Sequence, residues 1–336
     1  MTLRVGVVAG GPSGEAAVSR ASGRAVAEAL TTAGLYVELF ELEPRIAAEL
    51  LAADLDVVFP IAHGPIGEDG CLQGLLEVID LPYVGAGVLA SALAASKPAA
   101  KLCFRAENLP VAPEVVLRRE ALAEDADVAS RILSELGCDR GAGLVVKPAS
   151  GGSAIGVQRL GLDRPVTRGE LLAALHASWE VDPEALIERF VAGLEVTCGV
   201  LEEDTGPRAL SPTLIHANAA TWYDFTSRYA AAGSRHECPA PLPKERLARI
   251  QEVALAAFHA VGARDLARMD FVVPEALTED VTLLEVNTLP GMTATSLFPE
   301  AAAEAGWSFP ELCRHLAFRA HARARRAKPV EVPLPI

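Results

Sequence analysis

Two apolar runs near the C-terminus, LARMDFVV (266–273) and VTLLEVN (281–287), decide how the rest of the chain is read. Both are short and aliphatic, and the turn-rich segment Pro274–Asp280 separates them, which predicts an antiparallel hairpin. A register in which facing residues sum to 555 sets Asp270 against Glu285. Glu285 and Asn287 are two apart on one strand and share a face. Three side-chain oxygens then converge on one patch of sheet. A solvated face with chance acids is the competing reading, but these strands are otherwise apolar, and two acids facing each other without a cation repel. Hard oxygen donors with neither sulfur nor imidazole suit Mg²⁺ or Mn²⁺, and so few ligands imply that substrate phosphates complete the shell.

Upstream, KPASGGSAIG (147–156) reads as a strand ending in Lys147, a flexible loop, and a strand resuming at Gly156. Glycines let backbone amides approach an anion, and Lys147 supplies a point charge. The run is no P-loop, because the lysine precedes the glycines and a strand follows. It is read as a lid over a triphosphate, with an ordinary β-hairpin as the alternative. Between these segments, the apolar strand ALIERFV leaves through a short linker flanked by Glu188 and Glu195. That arrangement suits an adenosine slot, where backbone groups read the base and a carboxylate bridges ribose hydroxyls, although the motif alone is weak. Directly after the acidic strand, NTLPGMTATS (287–296) offers amides and hydroxyls to a carboxylate or a developing oxyanion.

The first 90 residues alternate β-branched runs with helical ones: VGVVAG, a helix from about Glu15 to Ala33, LYVELFEL, a helix to Leu51, then DVVFPIAHG. This is the pattern of a parallel sheet with helical crossovers, whose ligand chemistry gathers at the carboxyl ends of strands. GGPSGE (10–15) and HGPIGEDG (63–70) lie there. A helix broken or restarted by Pro98 carries Lys97 and Lys101, and IGVQRL is expected as a strand. The expected organisation is α/β and α+β: an N-terminal Rossmann-like domain over 1–90, two further lobes over 91–191 and 192–320, and a tail over 321–336.

Thirty basic and 44 acidic residues give a net charge of −14, and Lys97, Lys101, Lys147, Lys244 and Lys328 are the only lysines. Without a basic stripe the chain is a poor nucleic-acid binder, so phosphates must be handled in a local pocket. The six cysteines form no CxxC pair, which fits a reducing compartment. No apolar run is long enough for a signal peptide or membrane span. A cytoplasmic location is expected.

Taken in order, Lys97, KPASGGSAIG, ALIERFVAGLEV, LARMDF and LLEVNTLPGMTATS resemble the motifs of an ATP-grasp fold. With GGPSGE, HGPIGEDGCLQG and YVGAGVLASALAASK, the chain resembles the D-alanine–D-alanine ligase family from about Val5 to Cys313. The resemblance implies a Rossmann-like domain followed by two lobes that clasp ATP, and a D-alanyl phosphate intermediate on the way to a dipeptide for peptidoglycan. By it, Lys97, Lys147 and Arg228 contact ATP phosphates, with Ser153 in the lid, Glu188 and Val191 at the adenine and Glu195 at the ribose. Asp270, Glu285 and Asn287 hold two Mg²⁺ or Mn²⁺ ions. Glu15 takes the first D-alanine's ammonium, with His63 near its carboxylate. Arg268 and the Gly291 amide stabilise the tetrahedral intermediate, and Ser296 with the Leu297 amide grips the second carboxylate. Ser153 and Tyr229 join Glu15 in a hydrogen-bonded triad. A homodimer is usual in the family.

Four positions depart from the family pattern: Arg228 replaces the usual lysine, Ala16 and Ala17 replace the polar or charged residues common after Glu15, and Gly151 replaces an acid or threonine. Arginine keeps the charge but is bulkier and forked. An altered acceptor, as in D-alanyl-D-lactate or secondary-metabolite ligases, is therefore the alternative reading, although the retained Tyr229 favours an amine. A catalytically silent nucleotide-binding regulator is a third, disfavoured by the intact acids.

Overall fold

The computed structural model describes residues 2–125, 127–217, 233–276, 278–293 and 295–323. A parallel sheet comes first, formed by β1 (Arg4–Ala9), β2 (Tyr36–Glu41) and β3 (Val57–Pro60) in the order β2-β1-β3. Its crossovers are the helices α1 (Ala16–Thr32) and α2 (Ile46–Ala52). Gly23 explains how closely α1 lies on the sheet, since a Cβ there would come within 2.5 Å of the Ala9 Cβ. The helices α3 (Cys71–Val78), α4 (Val88–Ala95) and α5 (Lys97–Ala106) follow. The expected break near Pro98 falls at Ser96, whose backbone is extended and whose hydroxyl accepts the Ala99 amide at 3.4 Å. Proline fits the first helical turn, where no amide donor is needed, so α5 starts with Lys97 facing the site.

Next comes an antiparallel sheet in the order β4-β7-β5-β6, from β4 (Glu114–Arg118), β5 (Leu144–Pro148), β6 (Gln158–Leu160) and β7 (Glu184–Arg189). Its helices are α6 (Ala121–Glu124), α7 (Val128–Glu135) and α8 (Arg168–Trp179). Thr167 and Glu170 exchange side-chain to backbone hydrogen bonds at the start of α8, satisfying two amides that the helix leaves open. β6 is shorter than the expected strand because Ser153, Ala154 and Gly156 have positive φ and hold the preceding loop out of extended geometry.

A six-stranded antiparallel sheet completes the fold: β8 (Leu194–Glu203), β9 (Gly206–Ala209), β10 (Thr213–Ala217), β11 (Ser234–Glu237), β12 (Leu266–Val273) and β13 (Thr282–Asn287). The helices α9 (Lys244–Ala260), α10 (Leu297–Glu304) and α11 (Phe309–Ala322) pack on and around it. β8 pairs antiparallel with both β9 and β10. The decisive hairpin places Arg268 opposite Asn287 and Asp270 opposite Glu285, and then a bulge between Asp270 and Phe271 shifts the register, so Phe271 faces Leu283. The register beside the loop, where Val272 faces Thr282, is the one a symmetric Pro274–Asp280 loop gives, and the bulge is what sets Asp270 against Glu285.

Burying the apolar faces of these sheets yields separate cores. The central sheet's core takes all its buried members from residues between Leu117 and Ile187. A second core joins Ala100 and Phe104 of α5 to Val196, Met269, Phe271 and Val286 of the large sheet. A third joins Val5, Val7 and Phe59 of the parallel sheet to Leu312, Leu316 and Ala320 of α11. Apolar burial contributes roughly 1.5–3 kcal/mol per large side chain, so the first and last segments are bound into one body. Among the described residues, no helix is long and apolar enough to cross a membrane.

Candidate active site

Two clefts open between these layers. The first lies between the four-stranded and six-stranded sheets and is lined by Lys97, Lys147, Glu188, Val191, Glu195 and Glu285, with Val145, Phe190 and Val272 as apolar walls. β5 runs out at Lys147–Pro148 into the glycine loop, which is clipped to the start of α5. There Lys97 donates its amide to the Ala149 carbonyl at 2.9 Å and its ammonium to the Gly151 carbonyl. Lys147 makes an ion pair with Glu188 at 2.5 Å. Burial pushes Glu188 up, but Lys147 and Lys101 outweigh it and hold the carboxyl at about 2. The two lysines respond differently to burial. Lys147 ends above its ordinary value because Glu188 and Glu285 overcome desolvation, whereas desolvation wins at Lys97 and lowers it. Glu195 faces Arg159 at 3.9 Å, and that guanidinium lies over the Phe190 ring.

The second cleft lies between the parallel sheet and the large sheet and gathers Glu15, His63, Ser153, Arg268, Asn287, Gly291, Ser296 and Leu297. Glu15 stands at the first turn of α1, and the Ser153 hydroxyl donates to its carboxylate, tying the glycine loop to the N-terminal domain. The Ser13 hydroxyl donates to the His63 carbonyl at 2.7 Å, which joins the loops after β1 and β3. Burial lowers the His63 imidazole pKa, with Glu15 opposing and Arg268 adding. Ser296 precedes α10, and its hydroxyl accepts the Thr293 amide at 3.1 Å. The first amides of α10, beginning with Leu297, lack intrahelical partners and suit a carboxylate.

Gly152 and Glu285 belong to both clefts. A phosphate entering from one side and a carboxylate from the other would meet there. Beneath this point, Arg268 grips Asp270 with two hydrogen bonds of 2.8 Å, and the Thr197 hydroxyl donates to the same carboxylate at 2.7 Å. Asn287 accepts the Leu289 amide at 2.8 Å. Among the described residues no three His, Cys, Asp or Glu side chains are grouped as a metal cage. The donors here are two carboxylates and an amide carbonyl, all hard oxygens with a further lone pair each. They fit a divalent cation whose shell is completed by phosphate oxygens, and do not fit one held by protein alone. Arg228 and Tyr229 lie outside the described residues.

Glu68 was not singled out from the sequence, yet it lines the second cleft. Burial pushes its carboxyl up to about 8; the Gly64 amide opposes this, and the charges of Glu15 and Glu285 add to it. Its segment HGPIGEDG was the available signal, but the residues that perturb it come from distant parts of the chain.

The family model for the D-Ala D-Ala ligase C-terminus matches residues 103–317, and the model for the N-terminus matches residues 38–86. A D-alanine–D-alanine ligase from Pelotomaculum thermopropionicum is 40% identical over 318 residues, spanning 94% of this chain and 96% of that one. Another from Parvibaculum lavamentivorans is 43% identical over 312 residues, spanning 92% and 94%. Among solved structures, a D-alanine–D-alanine ligase from Bacillus anthracis complexed with ATP superposes with a TM-score of 0.79 at 29% identity, covering 97% of this chain and 99% of that one. The enzyme from Coxiella burnetii gives 0.77 at 26% identity, covering 96% of each. With two clefts meeting at one carboxylate and both family models matched along an ATP-grasp architecture, the chain belongs to the D-alanine–D-alanine ligase family.

Proposed function

We propose that this chain joins two D-alanines into D-alanyl-D-alanine for peptidoglycan synthesis, with ATP as the driving substrate. The observation that carries this reading is the meeting of the two clefts at Gly152 and Glu285, which gives nucleotide and amino acid one shared point of contact. ATP occupies the first cleft, with its phosphates toward Lys97 and Lys147, its adenine by Glu188 and Val191, and its ribose by Glu195. The first D-alanine lies in the second cleft, its ammonium on Glu15 and its carboxylate toward His63. That carboxylate oxygen attacks the γ-phosphorus and ADP leaves, a reaction governed by positioning and charge neutralisation. Divalent cations held by Asp270, Glu285 and Asn287 would neutralise phosphate charge when bound.

The acyl phosphate is then attacked by the second D-alanine's neutral amine, whose carboxylate Ser296 and the Leu297 amide hold. Arg268 and the Gly291 amide face the oxyanion of the tetrahedral intermediate, which expels phosphate and leaves the dipeptide. The loop joined to Glu15 through Ser153 excludes water that would hydrolyse the acyl phosphate. Arg228 at the phosphates and Tyr229 as a partner of Ser153 complete the proposed roles. ATP supply places the reaction in the cytoplasm. A homodimer is supported by Val78, Leu89 and Leu102, exposed apolar residues on α3, α4 and α5.

Phosphate release and product mass measured with D-alanine, L-alanine and D-lactate test this directly. Release that requires D-alanine and yields only the dipeptide is expected. Depsipeptide formation at neutral pH would instead assign the altered-acceptor activity.

A further inference from the structure

Lys101 lies one helical turn beyond Lys97 on α5 and is 0% exposed, so it touches no ligand. A buried ammonium is costly unless anions surround it. Two do so here: Glu188 of β7 at 2.5 Å and Glu114 of β4 at 3.2 Å. These two carboxylates stand directly opposite each other across the paired strands, where like charges repel, and Lys101 sits between them. Each carboxylate turns its other oxygen to a further cation, Glu188 to Lys147 at 2.5 Å and Glu114 to the half-exposed Arg105. From Arg105 at the surface to Lys147 in the cleft, charges alternate as three cations and two carboxylates.

The ordering has an electrostatic consequence. Were Glu188 balanced by Lys147 alone, the pair would be neutral and Lys147 would have little net field for an anion. We propose that Lys101 is a positioning residue that takes up the charge of Glu188 and thereby leaves Lys147 available to the phosphates of the nucleotide. The inference rests on the reading of the first cleft as the nucleotide site. It assigns the main effect of Lys101 to the phosphate end of the ligand, because at the adenine end Glu188 keeps Lys147 as its counter-ion.

Calorimetric affinities for ADP and adenosine in Mg²⁺ buffer, measured on the wild type, K101M and K101M/E114L, provide the test. The double substitution removes the carboxylate that K101M strands, so it carries the test even where the single variant fails to fold. ADP affinity should fall about tenfold or more in both variants, while adenosine affinity stays within about threefold. A parallel loss of ADP and adenosine, or wild-type ADP affinity in the double variant, would overturn the inference and leave Lys101 as packing for Glu114. Failure of the wild type to bind ADP would overturn the nucleotide reading itself, and the inference with it.

Discussion

Among the described residues, carboxylates face each other across antiparallel strands at two places, Glu114 with Glu188 in the central sheet and Asp270 with Glu285 in the large one. The first pair carries its own cation, the buried Lys101, and Glu188 is held at about 2. The second pair has Arg268 on Asp270, but among the described residues no lysine or arginine lies within ion-pair distance of Glu285. Burial keeps a proton on the neighbouring Glu68 up to about pH 8, and the charges of Glu15 and Glu285 add smaller contributions. One motif therefore serves two ends: where the cation is built in, the acids tune a lysine, and where it is not, they wait for ions and phosphates. Satisfied buried charge is architecture, and unsatisfied charge marks the chemistry.

Removing the unsatisfied acid should break this contrast most severely. Glu285→Gln is expected to lower turnover by on the order of 10³-fold, the several kcal/mol a carboxylate at a phosphoryl-transfer centre supplies, while CD-monitored folding is retained. Unchanged turnover would refute the assignment. Thr197→Val tests the same end more gently, because it deletes the hydroxyl that fixes Asp270. The Mn²⁺ concentration for half-maximal activity, and Mn²⁺ affinity by EPR titration, should shift by about 10-fold to 100-fold.

Glu68→Gln should give the smallest effect, and a pH-dependent one. Because the folded-state pKa of Glu68 is raised, its stabilising contribution is complete below the ordinary carboxylate range and is lost as pH rises through about 8. In metal-free buffer the variant should therefore gain on the wild type by a few degrees of Tm between pH 6 and pH 9. A constant difference across that range would show that burial does not keep Glu68 protonated there.

The sequence disclosed features whose physics is local. Glu285 and Asn287 on one strand face, two carboxylates around a strand exit and a lysine before glycines follow from strand period and turn chemistry, and the structure brings them to adjoining clefts. The bulge at Asp270 was not legible, because an extra residue in one strand leaves the apolar alternation nearly unchanged. The break at Ser96 was displaced from Pro98 because capping depends on a hydroxyl two positions earlier. The roles of Glu68 and Lys101 were not legible for another reason. Their meaning comes from Glu15, Glu285, Glu114 and Glu188, which only the completed fold brings alongside. Residue type and spacing show where charge is, but not whether it is answered.

The separate cores also bear on how the protein emerges from the ribosome. The central sheet's core is complete once Ile187 has been made, so that lobe can settle while later segments are still being translated. One face of the parallel sheet must wait much longer, because Val5 and Val7 pack against Leu316 and Ala320, and Arg323 donates to the Tyr83 carbonyl at 2.9 Å. The earliest strand synthesised is thus among the last to be covered. Until α11 arrives, the nascent chain exposes the apolar surface that a holding chaperone would recognise.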